Sequence, residues 1–298
     1  MTTIEIDGHQ LKLSNLDKVL YPEAGFTKGE VIRYYAEIAP TMLTHVGDRG
    51  VTLRRYPNGV DAGSFFEKRC ASHRPGFVPV ALGPGDSDGP IHYCQLDSRP
   101  ALVWAANMAA LEIHAPMARV DDIETPTMVV FDLDPGEPAG IVDCCEVALW
   151  LRDTLDGLGL RVWPKTSGSK GLQLYLPVNR PGLTHDGASG FAQMVAQALE
   201  RHHKDRVTSV MRKDLRGGKV FIDWSQNSRH KTTIAPYSLR ARARPTVSTP
   251  VTWEEVEAGA EGEDDLLRFD AGDVLERVGE LGDLFAETAT LEQELPRG

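Results

Sequence analysis

The stretch Val129-Val130-Phe131-Asp132-Leu133-Asp134-Pro135-Gly136 decides how this 298-residue chain is interpreted. Its apolar first half predicts a buried strand, which ends at the Pro-Gly turn. Residues i and i+2 of a strand point to the same face, so Asp132 and Asp134 are expected to lie side by side. Adjacent carboxylates repel each other unless a cation lies between them, and Mg2+ or Mn2+ prefers such oxygen ligands. The alternative is a plain strand end without a ligand.

A second apolar strand, predicted over residues 219–224, carries a third acid, Asp223. A carboxylate in such apolar surroundings is expensive to bury unless it has a partner. Beside Asp132 and Asp134 it would complete a site for two metal ions, of the kind that catalyses in-line phosphoryl transfer. The alternative is a surface carboxylate that pairs with Arg216 or a neighbouring lysine.

A turn between two predicted strands has the sequence Thr166-Ser167-Gly168-Ser169-Lys170-Gly171. It lacks the spacing of a Walker P-loop. Small residues, hydroxyl groups and a lysine nevertheless favour the binding of an anion. A flexible turn with a solvated lysine is the alternative interpretation.

The net charge of −11 conceals a strong asymmetry along the chain. Residues 251–298 contain 15 acidic and three basic residues, whereas residues 201–245 contain 12 basic and three acidic residues. Because local charge decides polyanion binding, a nucleic-acid partner is not excluded. Arg240, Arg242 and Arg244 alternate, so an extended strand would place all three on one face as phosphate contacts. A solvated basic surface is the alternative.

The composition predicts a cytoplasmic protein. No apolar run approaches the roughly 20 residues of a membrane span, and residues 1–7 do not resemble a signal peptide. Four cysteines suggest no disulfide framework. Cys70, His73, His92 and Cys94 offer four zinc ligands, but their spacing is atypical, so two buried thiols and two surface imidazoles are favoured over a structural zinc.

Helical and strand patterns alternate irregularly along the chain. A capping box at residues 27–30 predicts a helix to about residue 45. Residues 4–13 predict one edge strand, and residues 100–114 predict a buried helix that would include His114. This mixture predicts an α/β protein with mostly antiparallel or mixed sheets.

Several sequence strings together resemble the polymerase domain of bacterial ligase D, which belongs to the archaeo-eukaryotic primase superfamily. The strings occur in family order between about residues 11 and 257, and they are Leu13–Pro22, Tyr56–Gly59, Phe65–Lys68, Leu111–His114, Phe131–Gly136, Thr166–Gly171, Val220–Asn227 and Lys231–Arg240. Gln173 departs from the pattern, because many relatives are expected to carry His there.

The resemblance implies an α/β (α+β) primase-like fold of mixed sheets with an RRM-like catalytic half. Residues 1–115 would form the half that contacts DNA ends, residues 116–250 the catalytic half, and residues 251–298 an acidic helical tail. The Met1 start favours a stand-alone polymerase over an excised domain.

The resemblance also implies roles for individual residues. The catalytic and metal-binding residues would be Asp132, Asp134 and Asp223. The nucleotide-binding residues would be His114, Ser167, Lys170, Arg240, Arg216, Gln226 and Lys231. The DNA-binding residues would be Lys18 and Lys28, which would grip a 5′-phosphate, together with Arg54, Arg55, Phe65, Phe66 and Arg242.

The implied activity is metal-dependent, template-directed addition of ribo- or deoxyribonucleotides at gaps or broken ends in DNA repair, with two Mn2+ or Mg2+ ions. DNA with a 5′-phosphate, a DNA ligase and a Ku-type end binder would be the partners, at the nucleoid in the cytoplasm. A non-catalytic module that bridges DNA ends is one alternative, which the three acids disfavour. A metal-dependent nuclease is another, which the anion-binding turn disfavours.

Overall fold

A computed structural model describes residues 2–87 and 89–296. Within them the chain forms two compact units, and each unit is assembled from three separate segments. Unit 1 comprises Met1–Ile123, Thr232–Ser248 and Phe269–Gly282, and unit 2 comprises Glu124–Lys231, Thr249–Arg268 and Asp283–Gly298. The domains expected from the sequence are consecutive ranges, whereas residues 251–298 contribute to both units.

Helices and strands are both abundant in the described residues. The helices are α1 (Lys28–Val46), α2 (Arg99–Asn107), α3 (Ile141–Asp156), α4 (His185–His202), α5 (Trp253–Ala260) and α6 (Ala271–Leu281). The strands are β1 (Thr2–Ile6), β2 (His9–Leu13), β3 (Val19–Tyr21), β4 (Phe26–Thr27), β5 (Gly50–Arg55), β6 (Phe65–Glu67), β7 (Val80–Asp86), β8 (Gly89–Gln95), β9 (Ala110–Ala115), β10 (Met128–Pro135), β11 (Trp163–Thr166), β12 (Leu172–Pro177), β13 (Val207–Thr208), β14 (Val220–Asp223) and β15 (Thr233–Ile234).

Each unit is built on one main sheet. In unit 1 the strand order is β15-β9-β5-β8-β7, and β6 also pairs with β5. In unit 2 the order is β11-β12-β10-β14-β13, in which the pairing of β13 with β14 is parallel. The predicted mixed α/β class is therefore confirmed. None of the helices in the described residues is long and apolar enough to cross a membrane.

The core of unit 1 is formed by α1, α2 and the sheet. The predicted capping box is confirmed, because the Thr27 side chain accepts a hydrogen bond from the Glu30 backbone N–H and the Glu30 carboxylate accepts one from the Thr27 backbone N–H. Helix α1 then buries Tyr34 and Tyr35, whose hydroxyl groups donate to backbone oxygens of Tyr237 and Leu111, both at 2.7 Å. Strand β9 and the loop after β15 are thus both hydrogen-bonded to helix α1.

The central strand of the unit 2 sheet changes from fully buried to alternating along its length. In β10, residues 128–131 are all buried, and from Phe131 onward the buried Phe131 and Leu133 alternate with Asp132 and Asp134. Helices α3 and α4 pack against β10. The alternation fixes which face of the sheet carries the acids.

Two sequence predictions about local structure are wrong. Residues 4–13 form a β1–β2 hairpin instead of one strand, because Asp7 and Gly8 both take positive φ values, 49° and 78°, as a tight hairpin turn requires. The helix predicted over residues 100–114 ends at Asn107. Ala109 breaks it with φ 56°, and His114 lies on strand β9.

The cysteine prediction is also wrong in part. Cys70 and Cys94 form a disulfide across 24 residues, whereas His73 and His92 are exposed as predicted. The backbone N–H of Cys70 donates to the His92 carbonyl at 2.8 Å, which places Cys70, three residues after the end of β6, beside strand β8. Sequence spacing alone does not reveal this neighbourhood.

Reduction of this disulfide is expected to destabilise the protein. A bond that closes a loop of this length restricts the unfolded chain, so its loss should lower the free energy of unfolding by about 3 kcal/mol. Urea denaturation with and without dithiothreitol measures the change. The double variant Cys70→Ala/Cys94→Ala is the control, since it should not respond to the reductant. Detection of four free thiols in the folded, unreduced protein would contradict the pairing.

Candidate active site

Four polar side chains form a row across the sheet of unit 2. Asp132 of β10 lies opposite Asp223 of β14 on one side and opposite Gln173 of β12 on the other. Gln173 in turn lies opposite Lys165 of β11. Asp134, two residues further along β10, shares the face of Asp132. The structure therefore brings the three predicted acids to one face of the sheet.

Both carboxylate oxygens of Asp132 accept hydrogen bonds from amides. Gln173 donates to Oδ1 at 3.0 Å, and Gln226 donates to Oδ2 at 3.1 Å. Burial raises the pKa of Asp132 above its ordinary value, and the charges of Asp223 and Asp134 raise it further against the opposing effect of the Gln173 hydrogen bond. The two amide donors thus orient the Asp132 carboxylate, while its acidic neighbours destabilise its ionised form.

The other two acids pair with cationic or hydroxyl groups. Asp223 Oδ1 accepts from the backbone N–H and the hydroxyl of Ser225 at 3.0 and 2.5 Å, and Lys231 Nζ lies 3.6 Å from its Oδ2. Arg216 Nη1 lies 3.4 Å from Asp134 Oδ2, and its guanidinium carbon lies 3.6 Å from the centre of the Phe221 ring. These pairs reduce the repulsion among the three carboxylates.

The chemistry of this face suits a hard cation. It offers carboxylate oxygens, and like charges raise the cost of keeping them ionised, which a divalent ion would relieve. Among the side chains that the structure describes, no group of three or more His, Cys, Asp or Glu residues is already arranged as a metal cluster. The donors fit the ion in type, while Arg216 and Lys231 pair with two of them.

The predicted anion-binding turn joins β11 to β12. Ser167 Oγ accepts from the backbone N–H groups of Ser169 and Gly171 at 3.3 and 3.2 Å. Gly171 approaches β10 so closely that a Cβ atom would lie 2.0 Å from the Leu133 oxygen, so only glycine fits there. The Lys170 ammonium is exposed and pairs with Glu137 at 2.9 Å. The turn is therefore held against the strand that carries Asp132 and Asp134.

A second group of predicted residues surrounds Glu112 in unit 1. Glu112 is 1% exposed, and its carboxylate lies 3.0 Å from His114 Nε2, 3.4 Å from Arg240 Nε and 3.5 Å from Arg54 Nη1. Burial alone would raise the pKa of Glu112, but the hydrogen bond with His114, the charge of Arg240 and the N–H of Ala241 lower it to about 2. His114 and Arg240, both predicted to bind nucleotide, therefore contact the same buried carboxylate.

The aromatic pair of β6 is exposed and each ring has an arginine over it. Phe65 and Phe66 are 47% and 56% exposed. The guanidinium carbons of Arg55 and Arg54 lie 5.2 and 5.1 Å from the respective ring centres. Arg55 also pairs with Glu67 at 3.1 Å. Exposed rings of this kind can stack on unpaired bases.

Lys18 and Lys28 lie together near the start of α1. The Lys28 N–H donates to the Lys18 carbonyl at 2.8 Å, and Lys18 Nζ donates to the Pro57 and Asn58 oxygens at 2.5 and 3.0 Å. Lys28 is buried, with Nζ 2.7 Å from the Ser14 oxygen. Burial and then the charges of Lys18 and Arg55 lower the pKa of Lys28. An anion at this helix start would relieve that repulsion.

The predicted alternation of three arginines on one strand is wrong. Residues 242–244 form bends, Arg240 turns inward to Glu112, and Arg244 pairs with Asp270 of unit 1. Arg242 is exposed between them. The three guanidinium groups therefore have three different surroundings.

Sequence reasoning missed Glu112 and Lys165. Lys165 is fully buried, its Nζ lies 5.4 Å from the Tyr175 ring centre, and its charge lowers the pKa of Asp132. A lysine inside an apolar strand was the available signal. For Glu112 the signal was its spacing of two from His114, which a strand places on one face and a helix does not.

Comparisons with known proteins agree on one family. The family model "LigD, primase-polymerase domain" matches residues 27–285. The multifunctional non-homologous end joining protein LigD of Mycolicibacterium smegmatis is 47% identical over 279 residues, which are 93% of this chain and 36% of that protein. The LigD protein of Bacillus subtilis is 31% identical over 84% of this chain and 40% of its own. This chain thus spans little more than a third of these relatives.

A solved structure is similar over nearly the whole chain. The polymerase domain of Mycobacterium tuberculosis ligase D, solved in complex with DNA, superimposes with a TM-score of 0.88 at 44% identity. The match covers 95% of this chain and 99% of that domain.

Removing the charge of Asp132 is expected to stabilise the metal-free protein. At neutral pH the wild type keeps a partly buried carboxylate charged beside two others, and Asp132→Asn removes that cost. We expect the Tm in EDTA to rise by about 2–4 °C, the shift that about 1 kcal/mol produces in a domain of this size. Because the folded-state pKa is raised, the gain should shrink as the pH falls and the wild-type carboxyl becomes protonated.

Thermal denaturation at several pH values measures this difference. The exposed acid Asp205 provides the control, since Asp205→Asn should leave the Tm nearly unchanged. A Tm of Asp132→Asn that is lower than the wild-type value, or a gain that does not vary with pH, would contradict the assignment.

Proposed function

This chain belongs to the primase-polymerase family of LigD, and on that basis we propose that it is a metal-dependent, template-directed nucleotidyltransferase. It would add nucleotides at gaps or broken ends of DNA, in non-homologous end joining or gap filling. The observation that carries the proposal is the alignment of Asp132, Asp134 and Asp223 on one face of adjacent strands. Polymerase chemistry requires such carboxylates, and DNA binding alone does not.

The three carboxylates would hold two Mn2+ or Mg2+ ions. Ions bound there would supply the charge that lowers the pKa of a primer 3′-hydroxyl and neutralises the triphosphate. Gln173 and Gln226 keep the Asp132 carboxylate in one orientation, and this restricts how it can present its remaining lone pairs. No side chain needs to act as a nucleophile, because positioning and electrostatics account for this chemistry.

Cationic and hydroxyl groups would bind the nucleotide. In unit 2, Ser167, Lys170, Arg216 and Lys231 provide donors for phosphate oxygens. The other predicted nucleotide ligands, His114 and Arg240, belong to unit 1, where both lie against the Glu112 carboxylate. Lys170, Arg216 and Lys231 each pair with a carboxylate. Each could exchange that carboxylate for a phosphate oxygen and so would keep an anionic partner.

The DNA would be bound through unit 1. Lys18 and Lys28 would receive a 5′-phosphate at the start of α1, and Phe65 and Phe66 would stack on template bases. Arg54, Arg55 and Arg242 would add contacts to the phosphate backbone. A DNA ligase and a Ku-type end binder would act with the protein at the nucleoid in the cytoplasm.

Loss of two acids is expected to separate catalysis from DNA binding. Asp132→Ala/Asp134→Ala should lower primer extension on a gapped duplex by at least about 1,000-fold, because the ligands of the metal ions are lost. Its affinity for the same DNA should change less than threefold. Extension with Mn2+ and either NTPs or dNTPs, together with a binding titration, measures both quantities.

Each outcome of that comparison discriminates between functions. Normal extension by the double variant would overturn the site assignment. Tight binding without extension by the wild type would favour a module that bridges DNA ends. Shortening of the primer by the wild type in the absence of nucleotides would favour a nuclease.

The two lysines near α1 are expected to determine the preference for a phosphorylated gap. Lys18→Met/Lys28→Met keeps the aliphatic stems and removes both charges, so the roughly tenfold preference for a 5′-phosphate expected from two such contacts should vanish. Extension of an open primer-template should stay within twofold. Lys12→Met, an exposed change on β2, is the control. An equal loss on both substrates would argue against a 5′-phosphate site here.

A further inference from the structure

A row of three side chains crosses the sheet of unit 1. Arg54 of β5 lies opposite Phe66 of β6 on one side and opposite Glu112 of β9 on the other. Its guanidinium carbon is 5.1 Å from the centre of the Phe66 ring, and its Nη1 is 3.5 Å from Glu112 Oε2. The arginine therefore links an exposed aromatic ring to a buried carboxylate.

The carboxylate continues the connection on its other side. Glu112 Oε2 also lies 3.0 Å from His114 Nε2. Glu112 Oε1 lies 3.4 Å from Arg240 Nε and accepts from the Ala241 backbone N–H at 3.2 Å. Both oxygens of the carboxylate are thus engaged, so a shift of Glu112 alters the positions of His114 and Arg240 together.

The exposed ring also contacts the imidazole directly. The ring centres of Phe66 and His114 are 5.6 Å apart at an angle of 68°, an edge-to-face contact. Phe66, Arg54, Glu112 and His114 consequently form a closed circuit of contacts. Restraint of any member reduces the conformational freedom of the others.

We propose that Glu112 is a positioning residue that couples the Phe66 ring to His114 and Arg240, so that a nucleic-acid base stacked on Phe66 strengthens triphosphate binding by the other two. This inference rests on the proposed function, because that function assigns a base to Phe66 and phosphates to His114 and Arg240. Base stacking restrains Phe66 and the Arg54 guanidinium over it. The Arg54–Glu112 pair transmits this restraint to the phosphate-binding side chains, and the coupling is reciprocal by thermodynamic necessity.

The network requires a negative charge at Glu112, because an uncharged side chain of the same shape would not hold the surrounding cations. A buried acid is costly unless cations surround it, and an apolar residue would fill the same space at lower cost. His114, Arg240 and Arg54 all face this carboxylate, while the strand partners of His114, Thr52 and Ile234, carry no titratable group. Glu112 consequently remains ionised over the working pH range of a cytoplasmic protein.

The coupling can be measured with two probes that cannot form a base pair with each other, because one of them carries no base. Inorganic triphosphate is titrated into the protein at 0.15 M salt, with and without saturating oligo-dT. We expect the wild type to bind triphosphate about fivefold more tightly with the oligonucleotide, the lower end of typical coupling between sites. In Glu112→Gln, which keeps the shape of the side chain and removes its charge, this ratio should fall to about one.

A histidine titration supplies an independent readout of positioning. Burial lowers the pKa of His114, and the charges of Arg240 and Arg54 lower it further, whereas the Glu112 carboxylate opposes this and raises it. In Glu112→Gln the pKa of His114, followed by NMR without any ligand, should therefore fall. Glu112→Asp keeps the charge, so it should restore part of the triphosphate-binding ratio and part of the His114 pKa.

Matched variants complete the test. Glu67→Gln breaks the neighbouring Arg55 ion pair in the same sheet and should preserve the fivefold ratio. Phe66→Leu should abolish it. If Glu112→Gln does not fold, Arg54→Met serves instead. It removes the Arg54–Glu112 pair from the arginine side and should lower the ratio to about one. A wild-type ratio of one, or a full ratio in Glu112→Gln or in Arg54→Met, would overturn the inference.

Primer extension by the wild type separates this inference from the proposed function. A protein that shows the coupling but extends no primer would refute the polymerase assignment and leave the coupling intact. A protein that extends primers with a ratio of one would refute only the coupling.

Discussion

The register of strand pairing around β10 is the constraint on which the candidate active site depends. Asp132 faces Asp223 and Gln173 because the three strands pair at those positions. A shift of one residue in either pairing would send an entire set of side chains to the opposite face. The buried apolar residues Phe131 and Leu133 oppose such a shift, since it would move them to the face of the acids and bury the acids. Hydrophobic burial on one face thereby sets the geometry of the charges on the other.

In the sheet of unit 1, too, strand pairing positions charged groups, but there the cations outnumber the acids. In unit 2 a row of acids is oriented by amides and balanced by cations, whereas in unit 1 a single buried acid is surrounded by Arg54, His114 and Arg240. Each sheet holds one charged pair across adjacent strands, Asp132 and Asp223 in unit 2 and Arg54 and Glu112 in unit 1. Cross-strand neighbours are held by a hydrogen-bonded backbone, so their separation varies little. Such rigidity suits groups that must meet a ligand in a fixed geometry.

The sequence allowed the strands that carry the acids to be predicted, because apolar runs that end in Asp132, Asp134 and Asp223 are a local signal. The helix start at Thr27 was equally accessible, since its capping box is complete within four residues. The position of His114 was not, because the alanine-rich run before it favours helix and only the conformation of Ala109 interrupts that run. The Cys70–Cys94 pair and the buried Lys165 depend on contacts between distant segments, which periodicity does not encode.

The composite make-up of unit 1 has a consequence for the order in which the chain can fold during its synthesis. The sheet of this unit takes its edge strand β15 from Thr232–Ser248, and α6 comes from Phe269–Gly282. When residue 123 leaves the ribosome, Tyr34 therefore still lacks its partner at Tyr237, and the sheet lacks an edge. Unit 1 begins first yet finishes only after most of unit 2 has been made, so its exposed β9 edge is a target for chaperones or for misassociation throughout that interval.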